Sequence, residues 1–162
     1  MKLPRFLWKM LRVGPRLAYA LGMAPLVGRY ILLLTTTGRK SGNPSVTPLV
    51  YEERGGEFLI ASARGPDADW LQNIEANPNV QVRVGRRQFA ARAELVTEAG
   101  KIADYLGRQL ARNPQLFGRI MQMEGLSGSP TRAELESLAP RRPVVVLHPF
   151  EPTKAHSPTQ PA

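Results

Sequence analysis

The 162-residue chain has no cysteine. Thiol catalysis, iron–sulfur clusters, cysteine-ligated zinc and any disulfide framework are therefore excluded. The absence also fits a reducing, cytoplasmic compartment. Histidine is almost as scarce, with only His148 and His156. A multi-histidine metal centre has no ligands to draw on, and no metal site is expected. A Ser-His-Asp triad is left with two histidines, both near the C-terminus. Aromatic residues make up 7% of the chain and sit mostly in apolar positions. That is a poor supply for stacking on single-stranded nucleic acid, which the sequence does not favour as a partner. Long apolar runs are missing too. Leu17 to Val27 is interrupted by Gly22 and Pro25 and falls short of the ~20 residues that cross a bilayer.

Acidic residues are absent from the start of the chain. Residues 1–30 hold Lys2, Arg5, Lys9, Arg12, Arg16 and Arg29, with no Asp or Glu. Six of the nine net positive charges therefore lie in the first fifth, and the remaining 16 bases face 13 acids. This arm has a helical period. Leu3, Phe6, Leu7, Met10 and Leu11 form one apolar stripe, while Arg5, Lys9, Arg12 and Arg16 share another face. Pro4 suits a first turn, and Gly14-Pro15 breaks the helix. No clean apolar stretch precedes a small-residue cleavage site, which argues against a secretory signal. Two readings of residues 1–28 stay open. The helix either packs on the domain with its bases in solvent, or lies in the interface of an anionic membrane with Phe6 and Trp8 in lipid. The second would make the protein peripheral on the inner face of the membrane.

Residues 29–150 read as one domain of about six short strands. Ile31-Leu-Leu-Leu-Thr-Thr-Thr37 is apolar and β-branched. Gly38 to Pro44 is a turn, and Ser45 to Glu53 a strand in which Pro48 calls for an edge position or a bulge. Arg54-Gly55-Gly56 is a hairpin turn into a strand over Glu57 to Ala63. Gly65 to Ala76 predicts a helix with Trp70, Leu71 and Ile74 on its apolar face, stopped by Asn77-Pro78. Two further strands run through Val80–Val84 and Gln88–Val96. Thr97 to Gln122 is helical with a break at Asn113-Pro114, and a short helix covers Arg132 to Leu138. A last strand spans Pro143–Pro149, with His148 expected as a satisfied structural histidine. Hairpin-linked strands in this number favour a closed barrel over a sheet with bare edges. The Pro-, Ser- and Thr-containing residues 151–162 read as a disordered tail.

Thr35-Thr-Thr-Gly-Arg-Lys-Ser-Gly42 is the segment that carries chemistry. Its two glycines free the backbone so that N–H groups can converge on an anion. Thr36, Thr37 and Ser41 add hydroxyls, Arg39 a planar fork and Lys40 a point charge. The pattern is neither a phosphate-binding Walker loop nor a dinucleotide fingerprint. On chemistry alone it is a solvated hairpin turn or a site for a phosphate or carboxylate.

The order and spacing of Leu32-Leu-Leu-Thr-Thr-Thr-Gly-Arg-Lys-Ser-Gly42, Thr47-Pro48-Leu49, Ile60-Ala-Ser62, Trp70-Leu-Gln-Asn73 and Ala76-Asn-Pro78 resemble the deazaflavin-dependent nitroreductase family. These are the coenzyme F420-dependent nitro- and quinone reductases. The resemblance spans residues 28–96. It implies a mainly β fold with helices, a split β-barrel related to flavin mononucleotide (FMN)-binding proteins. It also implies that reduced F420 passes a hydride to a quinone, a nitroaromatic compound or a similar unsaturated acceptor. Arg39, Lys40 and Ser41 would then face the negative phosphodiester and glutamate tail, beside Thr36 and Thr37. Thr47, Pro48 and Leu49 would lie along the ring, with backbone amides on its carbonyls. Ser62, Ala63, Arg64 and Gly65 would form a second phosphate-contacting loop. The family places Lys directly after the Ser, whereas this chain has Ala63 there and Arg64 one position on. Trp70 and Asn73 match the next helix, where packing and capping are their simpler roles.

The acceptor side departs further from the family. Related reductases carry several tyrosines over the ring, while residues 97–142 hold only Tyr105, with Phe117, Met121 and Met123. Tyr105 is the one candidate proton donor, and two methionines together would make an apolar, adaptable pocket. The alternatives are FMN or a haem-derived group in the same barrel, and a non-catalytic F420-, flavin- or lipid-binding protein. The chain is expected to act as a monomer or homodimer.

Overall fold

The computed structural model describes residues 29–150. The readings of residues 1–28 as an arm and 151–162 as a tail lie outside the described residues. The elements are β1 (Ile31–Thr37), β2 (Pro44–Arg54), β3 (Glu57–Ala61), a single 3-10 turn (Gly65–Asp67), α1 (Asp69–Ala76), β4 (Asn79–Val84), β5 (Arg87–Val96), α2 (Ala99–Arg112), α3 (Pro114–Met123), α4 (Arg132–Ser137) and β6 (Val144–Pro149). The six strands close into an antiparallel barrel in the order β1-β2-β3-β6-β5-β4. This is the split β-barrel implied by the sequence.

Alternation decides which side chains fill the barrel. Leu32 and Leu34 of β1, Phe58 and Ile60 of β3, Val80, Val82 and Val84 of β4, Ala91 and Ala93 of β5, and Val145 and Leu147 of β6 form one buried cluster. Each fully buried Leu, Val or Phe contributes about 1.5–3 kcal/mol of transfer free energy. The intervening residues of β3, Leu59 and Ala61, face outward. There they pack with Val144 and Val96 against Ile102, Leu106, Met121, Leu135 and Leu138 of the helices. Helices α2–α4 thus cover one outer wall of the barrel.

Register fixes the two ends. Thr37 pairs with Pro44, and Ala61 pairs with Val144, which also pairs with Val96. These residues ring the turn end, which carries the 38–43 loop. Arg54 pairs with Glu57 and Val84 with Arg87 at the far end. The far-end turns have two residues each. Gly55 and Gly56 both have positive φ, at 59° and 83°, as a tight hairpin matched to the strand twist requires.

Helix α1 closes the turn end by adding Trp70, Leu71 and Ile74 to the barrel interior. The helix expected from Gly65 onward is shorter, because Ala68 is extended (φ −63°, ψ 127°) and separates the 3-10 turn from α1. Pro48 occupies an edge-like place. The β3 ladder reaches only Tyr51–Arg54 of β2, so Pro48 pairs with Leu33 of β1 outside it. A residue without N–H is tolerated in such a position. His148 satisfies both ring nitrogens, Nδ1 with Glu57 at 2.9 Å and Nε2 with Glu94 at 2.8 Å.

Candidate functional site

The loop between β1 and β2 is closed on itself. Gly38 N–H donates to Asn43 O and Gly42 N–H to Gly38 O, both at 2.8 Å, and Asn43 N–H donates to Ser41 Oγ at 3.2 Å. Arg39 N–H donates across to Asn73 Oδ1 at 3.1 Å. Four N–H groups are therefore engaged inside the protein. The expectation that loop N–H groups converge on an anion is thereby limited to Lys40 and Ser41, whose N–H groups make no internal hydrogen bond among the described residues. A ligand anion at this loop meets chiefly Lys40 and Ser41, which are exposed.

Asn73 is the hub that holds the loop. It is buried on α1 at 3% exposure. Its amide donates to Thr36 Oγ1 at 3.1 Å, and its carbonyl oxygen accepts from Arg39 Nη1 at 3.2 Å as well as from Arg39 N–H. The Arg39 guanidinium also pairs with Asp69 at 3.2 Å. Thr36 and Arg39 thus form one hydrogen-bonded knot with Asn73, which lies 37 and 34 positions after them. Arg39 is exposed but engaged in the knot, and Lys40 is the loop's second exposed cation. Asp69 was legible in the sequence only as an acid at a helix start. Trp70 is a core residue at 7% exposure, in line with its packing role.

The second loop is also braced from within. Ser62 is buried, donates its hydroxyl to Gly65 O at 2.6 Å, and donates its N–H to Pro143 O at 3.0 Å. Gly65 has φ +71°, and a Cβ there would lie 3.3 Å from Arg141 O, so glycine is needed on two counts. Ala63 O accepts from Arg142 Nη1 at 2.8 Å. Arg142, 79 positions away, has no local sequence signal that would have found it. Ala63 and Arg64 are exposed, so Arg64 is the cation this loop presents.

A cleft of about 340 Å³ adjoins the first loop, lined by Thr35, Thr36, Thr37 and Gly42 on one side and Asn77, Asn79 and Phe150 on the other. It opens at the β1–β4 seam. Thr47, Pro48 and Leu49 lie on the opposite flank of β1 and are half-buried on β2. The residues named by the resemblance therefore surround the turn end. Asn77 belongs to the helix-stopping Ala76-Asn-Pro78 motif of the resemblance, and Asn79 carries no site signal in the sequence.

Tyr105 is not brought to this end. It sits at 4% exposure among the α2–α4 side chains. Burial, reinforced by the Glu52 carboxylate, raises its hydroxyl well above the usual tyrosine range. It stays protonated at neutral pH, but its place in the helical core does not put it over the loop. The two methionines also part, since Met121 is buried and Met123 is 87% exposed. The expected methionine-lined pocket is therefore not formed by this pair.

A model of the F420H(2)-dependent quinone reductase family matches residues 14–124. The chain belongs to the F420H(2)-dependent quinone reductase family. A family member named as an F420H(2)-dependent quinone reductase from Mycobacterium tuberculosis is 40% identical over 68 residues, covering 40% of this chain and 46% of that protein. The chain thus spans about half the length of the curated relatives it matches. Among solved structures, an F420-H2 dependent reductase superposes with a TM-score of 0.52 at 25% identity, covering 74% of this chain and 95% of that one. The haem storage protein HutZ from Vibrio cholerae shares the fold, with a TM-score of 0.53 at 16% identity, over 76% of this chain and 84% of its own. The family implies coenzyme F420 as cofactor. Among the described residues no helix is long and apolar enough to cross a membrane, and no cluster of His, Asp and Glu could hold a metal ion.

Proposed function

We propose that the chain is an F420H2-dependent reductase that delivers a hydride to a quinone, binding the cofactor at the turn end of the barrel. The observation that carries this reading is the knot of Thr36, Arg39 and Asn73. It joins three residues that the family resemblance names, and it fixes a loop that exposes Lys40 and Ser41. A cation and a hydroxyl held by a buried asparagine suit the phosphodiester and glutamate tail of F420. When bound, reduced F420 supplies the hydride, and a quinone acceptor takes up a proton with it.

The chain's own task is positioning. Lys40 and Arg64 attract the anionic tail from two loops at the same end. Thr37 and the 340 Å³ cleft accommodate groups beside the first loop. Thr47, Pro48 and Leu49 flank β1 outside the β3 ladder, where a ring could lie along the strand. Nitroaromatic reduction remains a further acceptor class within this reading. The N-terminal arm is proposed to bring the protein to anionic membranes, where quinones partition. Deleting residues 1–14 would then lower co-sedimentation with anionic vesicles and leave F420 binding intact.

The experiment is a titration of the full chain with F420 and, separately, with FMN, followed by stopped-flow oxidation of reduced F420 by menadione. Binding of F420 at least tenfold tighter than FMN, with menadione-dependent loss of the reduced cofactor, is the expected result. Tight FMN binding would move the chain to the flavin alternative. F420 binding without turnover would make it a carrier.

A further inference from the structure

We propose that the far end of the barrel, opposite the Lys40 loop, carries a second anion site that takes a phosphate-bearing ligand. A cleft of about 600 Å³ opens there, lined by Arg29, Arg54, Arg108 and Arg112 together with Tyr51 and two glutamates. The four arginines come from three places in the chain: the lead-in to β1, the end of β2 and the last turns of α2.

The two glutamates leave three of the four arginines uncompensated. Glu52 is buried at 7% exposure and accepts from Arg108 Nε at 2.8 Å and Gln109 Nε2 at 2.7 Å. It fixes the Arg108 side chain at the cleft wall. Glu53 is paired with Arg87, which does not line the cleft, at 2.7 Å. Its carboxyl is held below the usual value by that hydrogen bond. Arg29, Arg54 and Arg112 are exposed and have no carboxylate partner among the described residues. Arg112 stands one helical turn from the Glu52-paired Arg108 on α2. With Arg29 and Arg54 it makes three cations around one cleft without carboxylate partners among the described residues, a set that suits a multiply charged anion.

The ligand class follows from the donor set. Guanidinium forks pair bidentately with phosphate oxygens. The cleft is roomier than one phosphate requires, and suits a diphosphate or a phospholipid headgroup. Either source offers the same chemistry.

The test uses the full chain and two probes, inorganic pyrophosphate followed by calorimetry and phosphatidylglycerol-containing vesicles followed by co-sedimentation. The variant is Arg54→Gln with Arg112→Gln, two exposed positions at which Gln leaves the melting temperature unchanged. The expected result is that wild type binds at least one probe and the variant binds it about tenfold or more weaker, equivalent to roughly 1.4 kcal/mol. F420 affinity should stay within about twofold. Saturable pyrophosphate binding that the variant weakens identifies a free phosphate ligand, and vesicle binding alone that the variant weakens identifies a headgroup; both uphold the site. Three outcomes overturn it. Wild type binds neither probe, the variant binds both like wild type, or the variant loses F420 affinity in step with the probe. Failure of F420 to bind wild type would sink the functional reading and leave this one standing.

Discussion

Asn73 has four hydrogen-bonding positions, two donors and two acceptor lone pairs, and the protein uses three of them on Thr36 and Arg39. Removing its amide strands the buried Thr36 hydroxyl and the Arg39 N–H at once. Asn73→Ala is expected to cost about 2–3 kcal/mol in urea unfolding, the scale of leaving buried polar groups unsatisfied. It should also weaken F420 binding through the displaced loop. Asn73→Asp keeps the acceptor for Arg39 and loses the donor to Thr36, so its stability loss should be smaller. Lys40 behaves oppositely. It is exposed, so Lys40→Ala should leave stability within about 0.5 kcal/mol and lower F420 affinity about tenfold, with the difference shrinking as salt is raised. The pair separates holding the loop from contacting the ligand. The sequence pointed to both residues, but their division of labour depends on which N–H groups the loop keeps for itself.

Elements are tied together by contacts that sequence patterns do not carry. Glu52 lies on β2, yet its partners Arg108 and Gln109 lie on α2, 56 and 57 positions later. Glu52→Ala leaves Arg108 and the buried Gln109 without their acceptor. It should cost about 3–5 kcal/mol by denaturant unfolding, as breaking one side of a buried ionic contact does. Helix α4 is secured locally instead. Thr131 and Glu134 form a capping box. The Glu134 carboxyl is held below its usual value, first by the Thr131 N–H and then by the Thr131 hydroxyl. A carboxyl lowered in the folded state stabilises above its unfolded pKa and loses that contribution as pH falls through the folded one. The melting-temperature gap between wild type and Glu134→Gln should therefore be present at pH 6 and close as the pH approaches 3. Local signals explain what was legible. The alternation of Val80, Val82 and Val84, the Gly55-Gly56 turn and the Asn113-Pro114 break each specify structure within a few residues. The Glu52 contact, the Arg142 brace on Ala63 and the far-end arginines are made by closure of the barrel, so no window of sequence contains them.

At the scale of the whole molecule, barrel closure makes binding at the turn end visible in global stability. Helix α1 carries Asn73 on its polar side and Trp70, Leu71 and Ile74 in the barrel interior, so the helix that holds the loop also plugs the core. A ligand that prefers the folded loop raises the free energy of unfolding the entire domain by RT ln(1 + [L]/Kd), about 2.7 kcal/mol at a hundredfold excess over Kd. For a chain of this length that corresponds to a melting-temperature rise of roughly 5–10 °C. F420 should give that rise in wild type, and FMN at the same concentration should give little. Lys40→Ala should melt like wild type without ligand and show a smaller F420-induced rise, because it alters affinity and not packing. Trp70→Ala should melt well below wild type without ligand, by the roughly 3–5 kcal/mol of a large core truncation. If its folded fraction still gains stability from F420 at high ligand, the tryptophan serves the core and not the cofactor. A Trp70→Phe variant that restores stability without restoring affinity would reverse that assignment and place the indole against the bound ring.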